Sequence, residues 1–261
     1  MPHDKAALLE EFDQEGFLIF DDVLDADLIA EASDHVTWLA KKNPDKRPEQ
    51  LGHTLMTHDP FWVRLVSDDR LLDIAEMFIG PDIALFASHY ISKPARTGMP
   101  VLWHQDGSYW PLEPMEVVTL WLAVDDSTPE NGCMRVIPGT QKSKIHELRD
   151  AKDVDNVLAS EIDLDIDDDE AVDLVIKSGG ISVHNPLIVH GSNANTSDNR
   201  RCGLTIRYIP TTTKMGGLAE GELQPSAFML RGKDHGVNDY HPHPKYIEGE
   251  CMAFAGCEAW A

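Results

Sequence analysis

The chain has 261 residues, 42% hydrophobic, 7% aromatic and 26% charged, the composition of a globular protein able to bury most of its apolar surface. Lysine and arginine number 22 against 45 aspartates and glutamates, a formal charge of −23, and such a field repels phosphate backbones and anionic bilayers. Neither nucleic acid nor a membrane is therefore an expected partner, and the four cysteines, with no C-x-x-C pair among them, exclude a zinc ribbon or disulfide scaffold.

The N-terminal stretch "MPHDKAALLEEFDQEG" is charged throughout, and no run of about 18 apolar residues exists to span a bilayer, so a cytoplasmic location is expected. Ala6, Leu8, Leu9 and Phe12 recur at helical spacing and predict a helix over residues 4–15 that ends at Gly16. "FLIFDDV" reads as a strand, and "DADLIAEASDHVTWLAKK" as a second helix with aspartates at its start and lysines at its end, as the helix dipole favours. Shorter helical patterns cover residues 60–66 and 70–79.

From residue 83 the period changes. "IALFASHYISK", "VLWHQDG", "VVTLWLAVDD", "CMRVIPG", "DLVIKSG", "ISVHNPL", "IVHGS" and "RCGLTIRYIP" are short runs rich in β-branched and aromatic residues, separated by turn formers. Eight such runs predict an antiparallel sandwich or barrel, a mostly β fold with flanking helices. Asn131-Gly132 is a hairpin signal and is expected to pair the 117–126 run with the 133–138 run. The acidic run 161–173 lacks the glycine and closing glutamate of an EF-hand and reads as solvated surface, and "NDYHPHPKY" reads as a loop. With no internal repeat or linker, residues 1–261 are expected to form a single domain.

"WHQDGSYW" carries the first chemical signal. In a strand, residues two apart face the same way, so His104 and Asp106 point together while Gln105 points to the other face. A third metal ligand must come from another strand, and "VHNPLIVHGSNAN" offers His184 and His190. Two histidines and a carboxylate leave about half of an octahedral shell open, the arrangement of non-haem Fe(II) oxygenases.

"WHQDGSYW", "TLWLAVDDSTPENGCMRVIPGTQ" and "HGSNANTSDNRRCGLTIRY" resemble the phytanoyl-CoA dioxygenase family of Fe(II)/2-oxoglutarate oxygenases, and "FDQEGFLIFDDVL" and "ISKP" fit it too. The likeness runs from about residue 8 to residue 210. It implies a double-stranded β-helix, a cupin-like jelly roll, with the helical N-terminal third packed on it. It implies iron held by His104, Asp106 and His190, and Pro186 suggests a bend that keeps His184 from pointing at the same metal.

The far carboxylate of 2-oxoglutarate needs a cation, and the planar guanidinium matches it. Strand alternation puts Arg201 on one face with Gly203, Thr205 and Arg207, and Arg200 on the other with Cys202, Leu204 and Ile206, so polarity nominates Arg201, as does the family's spacing. The resemblance also assigns Ser192, Trp121 and Gln105 to 2-oxoglutarate, although strand parity turns Gln105 away. Tyr109, Trp110, His184 and Arg207 are expected in the substrate pocket, and Gln141 stands where the family often has a histidine.

The reaction so implied converts 2-oxoglutarate and O2 to succinate and CO2 while a substrate is hydroxylated. Related halogenases replace the carboxylate ligand with a small residue, and Asp106 closes that option. Coenzyme A prefers a basic entrance, so the acidic chain favours a small free metabolite over an acyl-CoA. A non-catalytic jelly-roll binding protein and a zinc hydrolase are the readings from other classes. Nothing in the sequence fixes an oligomeric state.

Overall fold

The computed structural model describes residues 5–217 and 222–261. Residues 1–4, where the reading of the N-terminus and the first helical pattern begin, lie outside that range.

Helix α1, Lys5–Glu15, runs into strand β1, Phe17–Phe20. Helix α2, Ala26–Lys42, is started by Asp25, whose carboxylate accepts from the Leu28 amide at 3.0 Å, and it buries a stripe of Leu28, Ile29, Ala32, Val36 and Leu39. Helix α3, Pro60–Val66, has Asp59 as its cap and proline in its first turn, where the missing N–H costs nothing. Helix α4, Asp69–Ile79, follows, capped by Asp68.

The eight expected β-runs all contain strands: β2 Ile83–Lys93, β3 Val101–His104, β4 Val118–Ala123, β5 Met134–Ile137, β6 Val172–Leu174, β7 Ile181–His184, β8 Val189–Ser192 and β9 Arg201–Pro210. A further strand, β10, Phe228–Arg231, comes from a stretch the sequence reading left unassigned. One sheet has the order β1-β7-β4-β9-β2-β10 and the other β3-β8-β5-β6, with neighbours antiparallel, the two-layer jelly roll. Among the described residues no helix is long and apolar enough to cross a membrane. The acidic run 161–173 lies mostly exposed, with Ile162 turned inward.

Asn131-Gly132 does not close a hairpin, because β4 and β5 lie in different sheets. Both edges of β4 are already taken by β7 and β9, so the chain must leave the sheet. Asn131 braces the turn by accepting from the Thr128 amide at 2.8 Å. Gly132 has φ +78 and a β-carbon there would sit 2.4 Å from the Asn193 carbonyl, so only glycine fits.

The larger sheet is covered on both sides, which is why every residue of β9 is buried. Leu204, Ile206 and Tyr208 face outward with Leu85, Leu120 and Leu122, and pack under Trp62, Leu71 and the α2 stripe in one apolar cluster. Polar links run through this layer. His35 bonds Asp59 at 2.7 Å and Tyr90 at 3.0 Å, while Trp62 Nε1 donates to Ser88 Oγ at 2.9 Å and Ser88 Oγ donates to the Thr205 carbonyl at 2.8 Å.

On the inner face Trp121 lies flat across Gly203, where a β-carbon would come within 1.9 Å of the indole. Gly203→Ala should therefore force the ring to move and cost about 1–3 kcal/mol of stability, the usual scale of overpacking. Urea unfolding checks this, and an unchanged midpoint and slope would show that the indole has room to shift.

Candidate active site

β3 and β8 are adjacent antiparallel strands, and their register sets His104 directly opposite His190, with ring centroids 4.1 Å apart. His104 Nδ1 lies 2.9 Å from the Leu102 carbonyl and His190 Nδ1 3.0 Å from that of Ile188. A carbonyl can only accept, so each Nδ1 donates and each Nε2 keeps its lone pair for a metal. β3 ends at His104, but Gln105 remains extended at φ −117 and ψ 124, so parity still brings Asp106 to the same side. The three ligand atoms lie within 4.8 Å of one another and all three residues are buried.

Burial opposes charge on Asp106, yet Arg207, His104 and His184 outweigh it and hold the carboxyl well below its usual range. Burial, reinforced by His104 and His184, pushes His190 well below the ordinary histidine value, so it stays neutral and able to ligate. Two imidazole nitrogens and a carboxylate on one side of a cavity fit a ferrous ion that retains open positions.

His184 also faces this space. Its ring lies 4.8 Å from that of His190, its Nε2 is 3.7 Å from Asp106 Oδ2, and neither ring nitrogen has a hydrogen-bond partner among the described residues. The bend at Pro186 does not turn it away, because residues 185–188 carry the chain from one sheet to the other and the inner faces of both look onto the same cavity.

The other end of the cavity is cationic. Arg201, 2% exposed, stacks over Trp121 with Cζ 5.1 Å from the ring centre, and its guanidinium donates to the Gly132 carbonyl. It has no ion pair among the described residues, and burial lowers it to about 10. Opposite it in register stands Lys93, whose ammonium donates to Ser192 Oγ at 2.7 Å and to the Asn193 carbonyl; burial and then Arg201 lower it to about 6. A buried guanidinium without a counter-ion, beside an amine that burial discharges, is costly unless an anion joins it, and a dicarboxylate supplies one. Arg200, by contrast, turns outward and is already paired with Asp125 at 2.8 Å.

The site lies in one cavity of about 420 Å³. His104, Asp106 and His190 share it with Arg201, Ser192 and Trp121, and with Tyr109, Trp110, His184 and Arg207. Gln105 does not reach it: its Nε2 donates to the Leu187 carbonyl at 2.7 Å and its Oε1 accepts from the His146 amide at 2.8 Å, on the side to which parity directs it. Gln141 is also remote, donating to the carbonyl of Asp13 at 2.9 Å. His53 escaped the sequence reading. Alternation along β2 aligns residues 89, 91 and 93, a signal legible once β2 is known to lie beside β9.

A family profile described as Phytanoyl-CoA dioxygenase (PhyH) matches residues 12–203. The chain is 30% identical over 197 residues to the probable alpha-ketoglutarate-dependent hypophosphite dioxygenase of Stutzerimonas stutzeri, covering 73% of this chain and 68% of that protein. It is 31% identical over 173 residues to phytanoyl-CoA dioxygenase domain-containing protein 1 of Rattus norvegicus, covering 64% of this chain and 58% of the relative. Among solved structures it resembles the apo form of the non-heme monooxygenase ThoJ, with a TM-score of 0.77, 25% identity, and coverage of 92% of this chain and 88% of the other. The iron-bound EctD from S. alaskensis, at 19% identity, TM-score 0.66 and 89% coverage of each chain, shares the fold. With that profile spanning most of its length, the chain belongs to the phytanoyl-CoA dioxygenase family of Fe(II)/2-oxoglutarate-dependent oxygenases.

Proposed function

We propose that the protein hydroxylates a small-molecule metabolite, consuming 2-oxoglutarate and O2 and releasing succinate and CO2. The observation that carries this reading is the pairing, in one cavity, of an open His104–Asp106–His190 triad with the buried cation Arg201, which has no ion pair among the described residues. Iron bound by the triad would supply oxygen activation. Arg201, with Ser192 and Lys93, would hold the far carboxylate of 2-oxoglutarate, and Trp121 would wall the site. Tyr109 and Trp110 follow the ligand pair and would screen the reacting carbon from water; Tyr109 is tied to Ser160 by a 2.6 Å hydrogen bond.

An acyl-CoA is a poorer fit than a small metabolite. The cations of the cavity are Arg201 and Arg207, both buried at depth, whereas Lys42 donates to the Glu250 carbonyl and Arg47 pairs with Glu49. The hypophosphite and ectoine dioxygenases among its relatives are named for small molecules.

Arg201→Gln should weaken 2-oxoglutarate about 10- to 150-fold, roughly 1.5–3 kcal/mol for a charge-assisted hydrogen bond, as read by calorimetry on the metal-loaded protein. Unchanged affinity in a folded variant removes Arg201 from the role. His190→Ala should abolish Fe(II)-dependent succinate formation and metal binding, whereas His184→Ala should keep the metal; the reverse pattern would make His184 the third ligand.

Lys93 is mainly uncharged above pH 6 in the free protein, and a carboxylate beside it raises its proton affinity. Binding of 2-oxoglutarate should then draw in a proton, so affinity rises as pH falls toward 6. Calorimetry in buffers of different ionisation enthalpy measures that uptake, and Lys93→Met should flatten the pH slope.

A further inference from the structure

Beyond the cosubstrate end, the cavity holds a second group of hydrogen-bond donors, and its arrangement bears on the substrate. Arg207, 6% exposed, stands on the inner face of β9 six residues beyond Arg201, which is about 20 Å along the strand at 3.3 Å per residue. Its Nε and Nη2 point at Asp106 from 3.3 to 3.4 Å, its Cζ lies 5.0 Å from the centre of the Trp110 ring, and its Nη1 donates to Thr205 Oγ1 and to His89 Nδ1, both at 2.9 Å. A guanidinium only donates. His89 Nδ1 must therefore accept, which places the imidazole proton on Nε2, and no acceptor for that N–H is found among the described residues. His53 shares the same wall, and among the described residues its ring has no hydrogen-bond partner.

We propose that the substrate of this oxygenase carries an anionic oxygen group, a carboxylate or comparable oxyanion, which seats against His89, His53 and Arg207. The inference rests on the oxygenase reading above and adds the chemical class of the molecule it acts on. Three observations favour an anion over a neutral or cationic group.

The first is charge. Among the described residues Asp106 is the one carboxylate that lines the cavity, in a chain whose net charge is −23. A ferrous ion held by the triad would offset Asp106 and one carboxylate of 2-oxoglutarate, and Arg201 would pair with the other. Arg207 then leaves this buried space with an excess of positive charge, and burying it is favourable only with an anion beside it. The second is the donor set. His89 presents an N–H with no acceptor, and both imidazoles are kept neutral, His89 far below and His53 below the usual range, by burial first and by Arg207 next. They are thus hydrogen-bond donors that add no second cation. The third is the setting: the Phe86 and Trp110 rings, 5.7 Å apart, wall this corner with apolar surface. A cationic substrate group would meet Arg207 with no free carboxylate to offset it.

The test uses the full chain loaded with Ni(II) and saturating 2-oxoglutarate, which does not turn over, and phenylacetate and its uncharged counterpart phenylacetamide as probes. Calorimetry should give phenylacetate at least about 10-fold the affinity of the amide, the lower end of what a charge-assisted hydrogen bond contributes. His53→Leu and His89→Phe should each reduce that preference by at least about 3-fold, the scale of a neutral hydrogen bond. Equal affinities, binding of neither probe, or a preference intact in both variants would overturn the anion seat. A prior titration of 2-oxoglutarate into the Ni(II) protein separates the two ideas. If it fails, the oxygenase reading falls; if it succeeds and the probes are not discriminated, only the anion seat does.

Discussion

The register between β3 and β8 is the constraint on which the site depends, because it alone makes His104 and His190 cross-strand partners. Side chains alternate faces along a strand, so a slip of one strand by one residue would turn its imidazole out of the cavity. Asp106 is set by a different device. The Gly107 amide donates to the Pro186 carbonyl at 2.8 Å, and the Gln105 amide is held by Leu187 and His146. The short 3-10 turn at Asp106 is thereby fastened to the segment that leads into His190. One residue of the family motif thus positions a ligand from behind instead of touching the cosubstrate end.

Electrostatics runs opposite to the composition. A strongly acidic chain builds an interior with Arg201, Arg207 and Lys93 in near-complete burial. Desolvation works against all of these charges, which is visible in Lys93 lowered to about 6 and Arg201 to about 10. Such a cluster is destabilising in the free protein and becomes favourable when anions arrive, the usual exchange of stability for a preorganised site. The acidic exterior and the basic interior have separate physical tasks, and the net charge alone describes only the first.

Much of the architecture was legible because local signals agreed with the tertiary outcome. The apolar period of Leu28, Ile29, Ala32, Val36 and Leu39 with Asp25 ahead of it marks α2, and strand parity separates Arg201 from Arg200 without any coordinates. The failures share one cause, dependence on which strand lies beside which. Asn131-Gly132 has hairpin chemistry, yet β4 has no edge left to pair with β5. Lys93 is assigned to the Arg201 end only when it is placed opposite that residue, and His53 becomes a candidate only when residues far apart in the chain share a wall. His184 lines the cavity, as expected, but the bend at Pro186 does not turn its ring away, because there the chain is crossing between sheets.

The bond from Trp62 in α3 to Ser88, and from Ser88 to the Thr205 backbone, ends one residue's breadth from the metal site: Thr205 Oγ1 receives Arg207, and Arg207 faces Asp106. The helical bracket is consequently not a detachable prop for an autonomous β-barrel. Trimming the first eighty or so residues would strip the outer sheet face and unmoor the strand on which two of the three buried cations stand.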